Sequence, residues 1–238
     1  MSVVGKSVQR IIKKDIPSCT NDDMKSNGIY YFANDATVMK GLALIIGPPG
    51  TPYHGGFWFF AVDFPDDYPH SPPHVVTLTQ DGTTRFNPNM YVNGKVCLSL
   101  LGTWHQGDKW SAVQTVGSVL LSILGMVLTE EPLRNEPCYS TFTTHPTFNP
   151  YNRLVFHASV ETLLRFLDTL PEFIPAEHKE DIAQIMRNSF SKTREALEIR
   201  CRELAIEWDG KVEENNMFRM AKKYRFAELA DRIHKVPS

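Results

Sequence analysis

The sequence predicts an α+β fold: an N-terminal helix, a four-stranded antiparallel meander sheet, an irregular loop and packed helices, with a helical extension at the C-terminal end. Three observations predict it. β-prone runs follow one another over residues 29–80 with breaks too short for the crossover of a dozen or more residues that a parallel pair needs. Helical spacing flanks that stretch on both sides. From Asn152 onward strand patterns stop and helical periodicity alone remains.

Val4, Val8, Ile11 and Ile12 recur at helical spacing while Lys6, Arg10, Lys13 and Lys14 fall largely on other faces, which describes an amphipathic first helix. PSCTNDD and KSNG then supply loop and turn residues. IYYFAN, TVMKGLALIIG, GFWFFAVDF and HVVTLTQ read as the four strands, parted by turns such as GPPGTPYHGG and PDDYPHSPP. FNPNMYVNGKVCLSLLGTW, residues 86–104, is irregular and rich in Asn and Gly. After it, Ser111 followed by Gln114 reads as a capping box, and Val113, Val116, Leu120, Leu124 and Val127 form an apolar stripe suited to pack on the sheet. In the C-terminal third, Val160, Leu163, Leu164 and Leu167 mark one helix. Ile182, Met186, Phe190, Leu197, Cys201 and Leu204 mark a longer one, and Phe226, Leu229 and Ile233 a third, with LPEFIPAEH and DGKVEENN between them.

At 238 residues, 42% hydrophobic and 22% charged, the chain has the composition of an ordinary folded protein. Lys and Arg (25) nearly balance Asp and Glu (27), so there is no basic footprint for nucleic acid. The most apolar helical run, Val116 to Leu128, is interrupted by Gly117, Ser118, Ser122 and Gly125 and falls short of the roughly 20 residues that span a bilayer, so no membrane association is expected. MSVVGKSVQRIIKKDI lacks the apolar centre of a secretory signal. The mature chain is therefore expected to start at residue 1 or 2 in a reducing compartment, the cytoplasm and also the nucleus. Cys19, Cys97, Cys138 and Cys201 form no C-x-x-C pair, which signals neither a zinc site nor a disulfide framework. No metal or cofactor is implied.

The ordered set G-P-x-x-T-P-Y-x-G-G, Y-P-x-x-P-P, N-P-N, N-G-x-V-C-L and the distal Trp-Ser resembles the ubiquitin-conjugating enzyme family over about two thirds of the chain. FNPNMYVNGKVCLSLLGTW and the later NEP are similar to its extended, type Z branch, whose members continue into C-terminal helices and work with a specialised activating enzyme handling ubiquitin and a ubiquitin-like modifier. The resemblance implies the ubiquitin-conjugating (UBC) fold over residues 1–170, with 171–238 as the helical extension.

It also implies roles. Cys97 is the acceptor that would carry ubiquitin or a ubiquitin-like modifier as a thioester, a task for which sulfur is both strong nucleophile and good leaving group. Asn89 matches the asparagine whose amide stabilises the oxyanion during attack by a lysine. Asn87 stands where the family's histidine, generally taken as structural, is usual; an Asn supplies both donor and acceptor. Asn135 and Glu136 are the candidates for helping the incoming lysine lose its proton. Lys6, Arg10 and Lys13 match the basic stripe presented to the activating enzyme. Pro69 and His70, with Ala112 and Val113, occupy the two loops that contact a ubiquitin ligase, His70 replacing what is often a larger apolar residue. Trp104, His105 and Asp108, in a lengthened loop, would border Cys97 and shape which substrate protein reaches it, and Cys138 could close a reversible disulfide with Cys97 under oxidation. The alternative is a catalytically weak module of the same fold that binds ubiquitin or acts as a scaffold, with Ile182, Met186 and Phe190 as a partner stripe. A cysteine at position 97 speaks for the transferase.

Overall fold

The structure, a computed structural model, describes residues 3–104 and 107–237. Residues 1 and 2, where the mature chain is expected to start, and His105 lie outside the described residues. Four strands, β1 (Ile29–Ala33), β2 (Lys40–Ile46), β3 (Phe57–Asp63) and β4 (His74–Thr77), form an antiparallel meander in that order. The N-terminal helix α1 (Val3–Arg10) passes through a π-helical turn (Ile11–Asp15) into the short helices α2 (Ile16–Thr20) and α3 (Asp22–Ser26). Beyond the sheet, α4 (Val116–Ser122) runs into a second π-helical turn (Ile123–Val127), and α5 (Phe148–Asp168) and α6 (Lys179–Trp208) follow.

Strand side chains alternate between two apolar layers. Ile29, Tyr31, Ala43, Ile45, Trp58, Phe60 and Val62 pack with Ile11, Cys19, Val116, Val119 and Ile123. Leu42, Leu44, Phe57 and Phe59 pack instead with Phe156, Val160, Leu163, Ile182, Met186, Phe190, Leu197 and Phe226. A sheet covered on both faces needs strands apolar at nearly every position, which is why GLALII and GFWFFAV read as continuous hydrophobic runs. Ile182, Met186 and Phe190 are buried in this layer, so they are no partner stripe.

Two local expectations are corrected. The helix after the irregular loop starts at Val116, not at Ser111: Thr115 is its cap, exchanging hydrogen bonds with Ser118. Ser111 and Gln114 close a turn ahead of it, and Val113 is left 84% exposed, outside the stripe. The cap also receives Asp15, whose Oδ1 accepts the Val116 N–H at 3.0 Å. The C-terminal third, read as wholly helical, contains a hairpin of β5 (Val212–Asn215) and β6 (Met220–Lys223) before the last helix, α7 (Phe226–Lys235). Its inward positions include Glu213 and Lys222, so no apolar alternation betrays it.

Polar contacts hold that hairpin down. Glu213 pairs with Arg153 of α5 and accepts from Tyr224 Oη at 3.2 Å. Lys222 bridges Asp81 at 3.2 Å and Glu161 at 2.8 Å. Glu161 also takes Arg225 at 2.8 Å. His157, fully buried, stands 3.4 Å from Glu161, and its Nε2 accepts from Arg225 N at 2.9 Å. Among the described residues no helix is long and apolar enough to cross a membrane.

Burial alone would raise the Glu161 carboxyl, but the contacts with His157, Lys222 and Arg225 outweigh it and hold the group well below the usual carboxylate range. The unfolded chain therefore takes up this proton first as pH falls, so the stabilisation is complete above the unfolded pKa and is lost as acid approaches the folded one. Urea melts should show Glu161→Gln less stable at neutral pH, with a shallower loss of stability between about pH 5 and 3 than the parent. Parallel pH dependences would contradict this.

Candidate active site

The irregular stretch around Cys97 is assembled from the turn before β3. A Cβ on Gly47 would lie 1.7 Å from the Tyr53 carbonyl oxygen, so glycine alone lets GPPGTPYHGG fold back on itself. Gly47 N–H donates to Gly56 O and Gly55 N–H to Gly47 O, each at 2.9 Å. That closure delivers Tyr53 into the core, where it meets Trp58 edge-on at 5.1 Å. Its hydroxyl donates to Phe86 O at 2.7 Å and accepts from Asn87 Nδ2 at 3.0 Å.

Asn87 is fully buried. Its Nδ2 also donates to Val127 O at 2.8 Å, at the end of the second π-helical turn. Its Oδ1 accepts from Asn89 N at 2.7 Å and from Asn135 Nδ2 at 3.2 Å. A primary amide has two N–H donors and two acceptor lone pairs, and all four are used here. A neutral imidazole carries one donor and one acceptor and could not satisfy the same set. Asn87 is thus a buried hub that joins four segments of the chain.

The eight-residue gap between Asn89 and Cys97 follows from strand register. An antiparallel bridge opposes Met90 to Val96. One step further out, Asn89 opposes Cys97, and the Cys97 N–H donates to Asn89 O at 2.8 Å. Thr103 locks the cysteine's other side: its Oγ1 accepts from Leu98 N at 2.9 Å and donates to Val96 O at 2.8 Å. Asn89 is buried, yet its side-chain Oδ1 meets no hydrogen-bond partner among the described residues. A cleft of about 290 Å3 opens beside it, lined by Ser99, Trp104, Met126, Arg134 and Asn135 among others. Cys97 itself is only 2% exposed and does not line the cleft.

The two gate candidates separate. Asn135 borders the cleft and donates to Met126 O at 2.8 Å, whereas Glu136 sits at the junction of two 3-10 turns and does not reach it. The same loop brings Pro137 and Ser140 to the cleft while Cys138 points to solvent. Trp104 borders the cleft; Asp108 does not.

On the first helix Lys6 and Lys13 are exposed. Arg10 departs from the expected stripe. Its side chain is 11% exposed, faces Asp15 at 3.3 Å and donates to Gln114 O at 2.6 Å. Burial raises the Asp15 carboxyl against the opposing effects of Tyr68, Val116 and Arg10, so Arg10 serves the interior. Trp110 Nε1 donates to Pro69 O at 2.8 Å and ties the two expected ligase loops together, leaving His70, Ala112 and Val113 exposed on one side. Sequence reasoning missed Arg85, whose Nε and Nη2 donate to Asn87 O at 3.2 Å and Pro88 O at 2.5 Å. A cationic residue directly before the FNPN run was the available signal.

Thiol accessibility should follow this arrangement. Cys138 is exposed, Cys97 nearly covered, and burial pushes the Cys19 and Cys201 thiols up to about 12. Time-resolved alkylation read by peptide mass spectrometry should modify Cys138 first and Cys97 next, with Cys19 and Cys201 reacting only on unfolding. Early labelling of Cys19 or Cys201 would contradict the packing described.

Residues 11–161 match the family described as ubiquitin-conjugating enzyme. The chain is similar to ubiquitin-conjugating enzyme E2 Z of Homo sapiens, 37% identical over 193 residues that cover 81% of this chain and 52% of that protein. To E2 Z of Xenopus tropicalis it is 42% identical over 150 residues, 63% of this chain and 47% of the other. To the probable ubiquitin-conjugating enzyme E2 25 of Arabidopsis thaliana it is 39% identical over 171 residues, 69% and 26% of the two chains. The chain spans about half the length of the E2 Z relatives it matches. With the Cys97 N–H bound to the Asn89 carbonyl and a family match over residues 11–161, this chain belongs to the ubiquitin-conjugating enzyme family.

Proposed function

We propose that this chain is a transferase that accepts ubiquitin or a ubiquitin-like modifier from an activating enzyme onto Cys97 and passes it to a substrate lysine or to a ligase. The observation that carries this is the backbone bond that sets Cys97 against Asn89, with the Asn89 side chain lining an open cleft. In the loading step the Cys97 thiolate attacks the modifier's C-terminal thioester carbonyl, the C–S bond to the activating enzyme breaks, and that enzyme's cysteine leaves as the thiolate. In the discharge step an amine attacks the new thioester, the C–S bond breaks, an amide forms, the Cys97 thiolate departs and the amine's proton passes to solvent. On this reading the Asn89 Nδ2 donates to the oxyanion of that second step.

Asn135 supports the site by holding Asn87 and the π-helical turn, and it lines the approach that an acceptor lysine would take. Lys6 and Lys13 form the exposed basic face for the activating enzyme. His70, Ala112 and Val113, joined by the Trp110–Pro69 bond, form the face for a ligase. On this reading the chain works in the cytoplasm and the nucleus.

Incubation with an activating enzyme, ATP and ubiquitin should give a thiol-sensitive adduct on a non-reducing gel. Cys97→Ser should trap a thiol-resistant ester and Cys97→Ala nothing. Asn89→Ala should load normally but discharge to free lysine about 100- to 1000-fold more slowly. No adduct with any activating enzyme or modifier would sink the proposal.

A further inference from the structure

Resting on the transferase reading above, we infer that the C-terminal hairpin positions the acyl-transfer loop, with Phe218 acting through Arg85 on the peptide that carries Asn89. The guanidinium of Arg85 is where these elements meet. It lies 3.4 Å from the centre of the Tyr91 ring and 5.2 Å from that of Phe218, so one aromatic from the active-site loop and one from the hairpin turn flank it. A planar, delocalised cation on aromatic faces gains attraction and loses rotameric freedom. Held there, it donates to the carbonyls of Asn87 and Pro88. These carbonyls immediately precede Asn89, whose own N–H is bound by Asn87 Oδ1.

The hairpin touches the same strip of chain at two further points. Met220, buried, receives the Arg85 backbone N–H on its sulfur at 3.0 Å. Lys222 pairs with Asp81, whose carboxylate accepts from Thr83 N at 2.9 Å and from Thr84 N at 2.6 Å and so folds the turn that leads into Arg85. Tyr151 closes the arrangement from α5, donating its hydroxyl to Arg85 O at 2.6 Å. The Phe218 turn is itself fixed by Asn215 Oδ1, which accepts from Phe218 N at 3.0 Å.

Residues 81–89 are thus held from two sides. Tyr53 and Val127 hold the Asn87 amide from the core. The hairpin, through Arg85, holds the neighbouring carbonyls from outside. A misplacement of a reacting group by about 1 Å can cost on the order of 100-fold in rate. The hairpin therefore acts on discharge, where the Asn89 amide is needed, and much less on loading of Cys97.

The test uses the full chain with Phe218→Ala, its conservative counterpart Phe218→Tyr, and Arg85→Met. Amide hydrogen exchange is read first, because it does not depend on activity. In Phe218→Ala the Asn89 and Cys97 amides should exchange about tenfold faster, while the amides of β2 and β3 keep their protection. Loading with ubiquitin should stay within about twofold of the parent, while single-turnover discharge to free lysine falls about 10- to 100-fold. Arg85→Met should behave the same way, and Phe218→Tyr should restore both exchange and discharge. Unchanged exchange at Asn89 and Cys97, or loading slowed as much as discharge, would overturn the inference. A parent protein that takes no adduct would overturn the transferase reading instead, and the exchange measurement would still decide whether the hairpin positions the loop.

Discussion

Everything around Cys97 hangs on the buried amide of Asn87. Four hydrogen bonds leave it: to a tyrosine from the turn before β3, to a carbonyl ending a π-helical turn, to the backbone of Asn89, and to the side chain of Asn135. A buried polar group with a missing partner costs about 1–3 kcal/mol, so each of these bonds fixes the position of a different segment. The consequence is a loop that needs little secondary structure of its own. Short bridges and side-chain bonds hold it where a strand ladder would have left no room for a cleft.

The second constraint is the sheet, which is covered on both sides. The N-terminal helices and α4 fill one layer; α5, α6 and α7 fill the other. Residues 171–238 add Ile182, Met186, Phe190, Leu197 and Phe226 to the layer that holds Leu42, Leu44, Phe57 and Phe59, so the extension is part of the core rather than hanging from it. The polar contacts of Glu161, Lys222 and Asp81 then link that extension to the turn that leads into the active-site loop. Core packing and site geometry are continuous through these few residues.

The meander was legible because strand periodicity and turn chemistry agreed over residues 29–80, and α5, α6 and α7 because their apolar residues kept helical spacing. Cys97 and Asn89 were singled out through the family resemblance alone, and the Met90–Val96 register is what sets the two against each other. What stayed hidden was tertiary in origin. The β5–β6 hairpin points charged residues inward, so it carries no apolar alternation. Arg10 looked like one more cation on an exposed stripe; only the fold supplies Asp15 and Gln114 to take it inside. Thr115 overrode Ser111 as helix cap because Asp15, distant in sequence, binds the Val116 N–H. Glu136 stands between two 3-10 turns and does not line the cleft that its neighbour Asn135 borders.

On the proposed reading Asn87 supplies the scaffold and Asn89 the chemistry, and the two are linked through the Asn89 N–H. A double-mutant cycle on single-turnover discharge to free lysine, comparing Asn87→Ala, Asn89→Ala and the pair in preloaded protein, measures that link directly. If Asn87 acts by placing Asn89, removing it alone slows discharge by about tenfold or more, and removing it where Asn89 is already alanine adds less than about twofold. Fully additive effects, or an Asn87→Ala protein that discharges at the parent rate, would contradict the arrangement described.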